Sequence, residues 1–210
     1  MYTLYWSPGA ASLCVHWMLI ELGEPHELKK LDMDAGDHRK PEYLKLNPNG
    51  LVPTLIVDDE PISESAALLM LLAERHPQSA FAPPADHPGR GQYFSWMFFL
   101  SNTLQAAFRS WFYPDQPAGP DAVEAVRTQT RGRIETCFKR IDTQIASDGP
   151  YLLGNRVGAA DFLATMLMRW SRNMPKPATE WPAIAAYVKR MKGRPSFKAL
   201  YEREGLTDWA

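Results

Sequence analysis

The chain has 210 residues, 45% hydrophobic and 22% charged, with a formal net charge of −1. That balance excludes a disordered chain, permits a sizeable core, and gives no global attraction to nucleic acid or to an anionic membrane. No apolar run reaches the ~18 residues of a bilayer span, the start MYTLYWSPG lacks an export pattern, and two distant cysteines, Cys14 and Cys137, suit neither a disulfide framework nor a zinc site. The expectation is a soluble, cytoplasmic, metal-free protein. Charge is uneven: residues 1–80 hold 6 Lys+Arg against 12 Asp+Glu, and the remainder 17 against 12.

In chain order, Tyr2–Trp6 is rich in aromatic and β-prone residues and stops at Ser7-Pro8-Gly9, which predicts a strand ended by a turn. Residues 12–22 carry Leu13, Trp17 and Ile20, flanked by Cys14, Met18 and Leu22, at helical spacing, and Gly23 and Pro25 end that helix. A weak strand at 26–31 and a short helix at 41–46 follow. Two short strands, Thr54–Val57 and Pro61-Ile62, precede a helix over 65–75 with Ala66, Leu69 and Leu72 on one face. The order β-α-β-α-β-β-α predicts a small α/β layer with a mixed sheet.

Four prolines within residues 77–90 predict an extended linker. Beyond it every periodic segment is helical. Residues 91–112 step by three or four through Tyr93, Met97, Leu100, Leu104, Phe108 and Trp111, while Phe94, Phe98 and Phe99 add a second apolar face. Helices are predicted over 121–147, 159–170, 182–192 and 196–204. The domains are therefore read as 1–76, a linker at 77–90, and a helical bundle at 91–210. Arg127, Arg131, Arg133, Lys139 and Arg140 form no one-sided stripe, so a solvated face is expected rather than a nucleic-acid site.

Three segments carry candidate chemistry. Ser7–Ser12 joins a strand to a helix start, where free amides and the helix dipole favour an anion such as a thiolate. Ser12 and Tyr5 each offer a hydroxyl there, although the same residues suit a plain N-cap and a core ring. In Asn47-Pro48-Asn49-Gly50-Leu51-Val52-Pro53-Thr54, a proline just before a strand turns the preceding peptide outward when it is cis, free to pair with a bound peptide. An ordinary turn is the alternative. In Ser63-Glu64-Ser65-Ala66, Glu64 suits a ligand ammonium and Ser65 a carboxylate, the two needs of an amino-acid head group; Ser63 also suits a helix cap. His16 is expected to be a helix residue with a satisfied partner.

These three elements in this order, followed by Gly154-Asn155-Arg156-Val157-Gly158-Ala159-Ala160-Asp161, resemble the glutathione transferases over nearly the whole chain. The bacterial beta class is similar in its first turn, often Ser-Pro-Gly-Ala-Cys-Ser, where this chain has Ala11 in place of the cysteine. The resemblance implies a thioredoxin-like domain before an all-helical one, a homodimer, and glutathione as co-substrate. Val52 and Pro53 would meet its cysteinyl backbone, Glu64 and Ser65 its γ-glutamyl group, and Lys40, His38 or Arg39 its glycyl carboxylate. Ser12 or Tyr5 would assist the thiol, and Asp161 would hold a capped loop. The aromatic group Phe108, Trp111, Phe112 and Tyr113 is the candidate wall for a small hydrophobic electrophile, with core packing as its alternative. A glutathione-dependent isomerase or dehalogenase, or a non-catalytic glutathione-binding protein, would share this outline.

Overall fold

The computed structural model describes residues 1–209. The chain condenses into two compact units, residues 1–82 together with those from 191 onward, and residues 83–190. This corrects the boundary read from the sequence: the last helix joins the α/β unit. The 3₁₀ turn Pro77–Ser79 and the buried Phe81 also belong there, so the proline-rich connection is shorter than the predicted linker.

The first unit holds β1 (Tyr2–Trp6), α1 (Leu13–Leu22), β2 (His26–Lys30), α2 (Pro41–Leu44), β3 (Thr54–Val57), β4 (Glu60–Ser63) and α3 (Ser65–Arg75). The sheet is ordered β2-β1-β3-β4, with β1 parallel to β2 and antiparallel to β3, and β3 antiparallel to β4. Tyr5 stands opposite Thr54, which brings the end of β1 beside the start of β3. Leu4, Leu13, Trp17, Leu55, Leu68, Leu69 and Leu72 are buried in the core of this unit. A smaller cluster of Leu31, Tyr43 and Val52 takes Tyr5, Ala10, Met33 and Leu46 against it.

The final helix, Pro195–Glu204, packs on α1. Trp17 Nε1 donates to Ser196 Oγ at 2.8 Å, and Glu21 accepts hydrogen bonds from the Arg194 guanidinium and from Ser196. A largely buried carboxylate tolerates its desolvation only with such partners.

The second unit begins with α4 (Arg90–Phe99), which passes through a π-helical stretch, Leu100–Gln105, into α5 (Ala106–Phe112). It continues with α6 (Asp115–Ala118), α7 (Val123–Asp148), α8 (Ala159–Trp170) and α9 (Pro182–Lys192), the last crossing the boundary between units; Pro195–Glu204 is then α10. Residues 159–169 of α8 are all buried, so this helix is covered all round. Asp161 anchors its start. Its carboxylate accepts the Gly158 N–H at 2.7 Å, the Leu152 N–H at 3.0 Å and the Tyr187 hydroxyl at 2.9 Å. Burial and the neighbouring Asp161 hold the Tyr187 phenol well above its usual range. Among the described residues, no helix is long and apolar enough to cross a membrane.

Candidate active site

The six residues after β1 form a closed turn. Ala10 N–H donates to Ser7 O at 3.2 Å, Leu13 N–H to Ala10 O at 3.0 Å, and Gly9 adopts φ 65°. Ser12 seals the turn from within: its Oγ donates to Ser7 O at 3.2 Å and accepts the Ser7 N–H at 3.3 Å, and the residue has no exposed surface. A serine hydroxyl has one proton, and here the turn uses it. This corrects the expectation that Ser12 aims its hydroxyl at an incoming sulfur.

Two further donors meet at the Ala11 carbonyl. Ser65 Oγ donates to Ala11 O at 2.9 Å and Cys14 Sγ at 3.4 Å. The Ser65 hydroxyl thus ties α3 to the turn, which leaves its amide, at the first position of α3, as its donor to a ligand. Burial pushes the Cys14 thiol up to about 12. It therefore stays protonated at neutral pH and does not replace a thiolate at position 11. The Ala11 and Ser12 amides donate to no protein acceptor among the described residues. They lie at the start of α1, where the helix dipole favours negative charge.

Beside this turn, Val52-Pro53 is a cis peptide, and Val52 main chain makes no hydrogen bond among the described residues. Two buried side chains hold the stretch. Tyr43 OH donates to Leu51 O at 2.5 Å and meets Thr54 Oγ1 at 2.8 Å, and Asn47 Nδ2 donates to the same pair at 2.8 and 3.2 Å. Gly50 has φ 59°, and a Cβ there would lie 2.9 Å from His38 O, so only glycine fits. Sequence reading missed Tyr43; its spacing from Leu51 and Thr54 gave no signal.

Glu64 precedes α3 with φ 73° and ψ 110°, a conformation that costs a side-chain-bearing residue roughly 1–3 kcal/mol. It is exposed and makes no cap bond, and Ser63 ends β4 rather than capping α3. The strain is held at an exposed acidic residue in the same unit as the two main-chain segments without protein partners. Lys40 is exposed and pairs with Asp37 at 2.7 Å, and that neighbour raises its pKa. The structure therefore gives Lys40 a carboxylate partner within the chain. His38 lies against Gly50 instead, with a buried Nδ1 that has no partner.

In the helical unit the four candidate aromatics divide. Phe108 is fully buried, with ring contacts at 5.8 Å to Phe112, 6.3 Å to Phe138 and 5.7 Å to Trp170. It is a core residue, which corrects its reading as pocket wall. Trp111 is half-buried, whereas Phe112 and Tyr113 are each 47% exposed, with the Arg109 guanidinium 4.2 Å from the Tyr113 ring centroid. Among the described residues, no three His, Cys, Asp or Glu side chains are grouped to hold a metal ion.

A four-stranded mixed sheet carrying a strand–helix turn, a cis-proline before β3 and a Glu-Ser at α3, with a unit built around a buried capped helix, is the architecture of a glutathione transferase. The comparisons agree. The Glutathione S-transferase N-terminal domain model matches residues 10–75 and the C-terminal domain model residues 124–190. The chain is 28% identical over 204 residues to glutathione S-transferase GST-4.5 of Xanthomonas campestris pv. campestris, covering 97% of this chain and 98% of that protein. A glutathione transferase homologue from Sulfitobacter, solved with bound glutathione, is 27% identical with a TM-score of 0.90 and coverage of 99% of each chain. BphK, a bacterial glutathione transferase solved as a ternary complex, is 30% identical with a TM-score of 0.85, covering 97% of this chain and 100% of that one. The chain belongs to the glutathione S-transferase family, and it is a glutathione transferase.

Proposed function

We propose that this enzyme conjugates glutathione to small hydrophobic electrophiles and activates the thiol with main-chain amides. The carrying observation is the turn itself: the Ser12 hydroxyl is committed within the turn and the Ser65 hydroxyl to Ala11 O, while the Ala11 and Ser12 amides donate to no protein acceptor among the described residues. A thiol of pKa ~8.5 brought to ~6.5 needs about 2.7 kcal/mol of preference for the anion. Hydrogen bonds to a charged acceptor, at about 1.5–3 kcal/mol, with a helix N-terminus at about 0.3–1, supply it. With alanine at position 11 and Cys14 protonated, no protein thiolate competes at the turn, so the reading is conjugation rather than thiol–disulfide exchange.

Val52 main chain pairs with the cysteinyl backbone in this reading, Glu64 takes the γ-glutamyl ammonium, and the Ser65 amide takes its carboxylate. His38 or Arg39 serves the glycyl carboxylate in preference to the paired Lys40. Tyr5, half-buried 5.5 Å from the Tyr43 ring and packed in one cluster with Ala10 and Val52, supports both segments from beneath. Trp111, Phe112 and Tyr113 face the electrophile. The protein works as a cytoplasmic homodimer, and Phe98, 53% exposed on α4, belongs to the subunit contact. Retention on immobilised glutathione followed by turnover of an activated aryl halide tests the function. Retention without turnover would replace it with a binding role, and sedimentation as a monomer at micromolar concentration would remove the dimer.

A further inference from the structure

Glu204, on α10, binds the amide backbone of the turn. Its Oε2 accepts the Gly9 N–H at 2.9 Å, and its Oε1 meets His16 Nδ1 at 2.9 Å. The side chains of Glu204 and His16 have no exposed surface. Around them lie the Trp6 ring, 5.8 Å from that of His16, and the His26 ring at 5.5 Å, with Arg203 at 3.4 Å from His26 Nε2. An apolar residue at 204 would pack α10 against α1 without the desolvation cost of a buried carboxylate. Holding α10 in place does not need Glu204, because Arg194 and Ser196 already bind Glu21 and Trp17.

We infer that Glu204 is a positioning residue for glutathione activation, which rests on the reading of the turn given above. By drawing the Gly9 amide inward it fixes the peptide planes that follow, so that the next two uncommitted amides, those of Ala11 and Ser12, point the other way. His16 holds the carboxylate in the orientation that reaches Gly9. No local pattern points to this, since the residues lie 195 and 188 positions from Glu204.

The test compares Glu204→Gln and Glu204→Ala in the full chain. Glutamine keeps one carbonyl acceptor for Gly9 and serves as the conservative rescue. Three quantities are read: glutathione affinity by calorimetry, the pKa of the bound thiol from its ultraviolet thiolate band, and exchange protection of the Gly9 amide. The expected result for Glu204→Ala is loss of Gly9 protection, a bound-thiol pKa raised by about one unit, and kcat reduced about tenfold, with glutathione affinity changed less than threefold. Glu204→Gln should fall between wild type and alanine on each scale; it also carries the test if the alanine variant does not fold. Wild-type thiol pKa and kcat in both variants, with only a lowered melting temperature, would overturn the inference and leave the functional reading standing. A wild type that binds no glutathione would overturn the functional reading and this role with it.

Discussion

Between β1 and α1, residues 7–12 are tied by side chains from three helices: Cys14 on α1, Ser65 on α3 and Glu204 on α10. At the end of α5 the arrangement is reversed, for Phe112 and Tyr113 each leave nearly half their surface open, and Phe112 stacks on a fully buried Phe108. On the function proposed above, the contrast fits what each region would recognise. A co-substrate that never changes, met through a developing thiolate, rewards donors fixed in advance. Electrophiles of varied shape are better met by aromatic rings whose contacts are non-directional and whose rotamers remain free.

The largest expected effect breaks the support beneath the open aromatics. Phe108→Ala removes a fully buried ring and should destabilise the protein by about 3–5 kcal/mol, read as a lowered denaturant midpoint. A loss below ~1 kcal/mol would mean that Phe108 faces the pocket after all.

Next is the strained acid. Glu64→Gly relieves a positive φ and, on the proposed function, removes a ligand contact with it. It should raise the melting temperature while weakening glutathione binding by about 10–100-fold, the value of a lost charged hydrogen bond at about 1.5–3 kcal/mol. Raised stability with unchanged affinity would assign the strain to something other than glutathione.

Ser12→Ala sharpens the comparison from the other side. It leaves the Ser7 N–H without its buried partner, while Ser7 O keeps the Ala10 N–H, and should cost about 1–2 kcal/mol of stability. Tyr5→Phe should leave the bound-thiol pKa within ~0.3 units, since the proposal gives sulfur to the amides. A rise of one unit or more in Tyr5→Phe would return the thiol to the phenol.

Legibility in the sequence divides along the same physical line. Strand β1 and helix α3 are readable because alternation and the 3.6-residue period are local properties, and Glu64 and Val52-Pro53 stand out because an acid beside a serine suits an amino-acid head group and a proline just before a strand can present a free peptide. The committed hydroxyls of Ser12 and Ser65 were not, since a hydroxyl's partner is chosen by tertiary contact: Ser65 donates 54 residues back along the chain. The same holds for α10, whose Phe197, Leu200 and Tyr201 specify a buried face without naming what buries it. The π stretch Leu100–Gln105 adds a residue to a turn within an apolar row that still steps by three and four, so periodicity alone read one continuous α-helix.

The smallest effect on stability is expected at the open end of α5, and it carries the most information about substrate. Phe112→Ala and Tyr113→Ala each remove a ring already half in solvent, so the burial lost is modest and stability should change by less than ~1 kcal/mol. Tyr113 also releases the Arg109 guanidinium from its ring, worth about 0.5–1 kcal/mol at an exposed site, but Arg109 keeps its hydrogen bond to Gln116 Oε1 at 3.1 Å. Glutathione affinity should not move, because the proposed reading gives glutathione's contacts to Val52, Glu64 and Ser65 instead. What should change is kcat/KM, by about three- to tenfold and by different factors for a flat aryl halide and a compact alkyl halide. A flat substrate loses a stacking partner worth about 0.5–1.5 kcal/mol, and a compact one does not. Equal losses for both substrates would show that these rings act through the fold rather than on the electrophile, and no loss for either would place the electrophile's wall elsewhere.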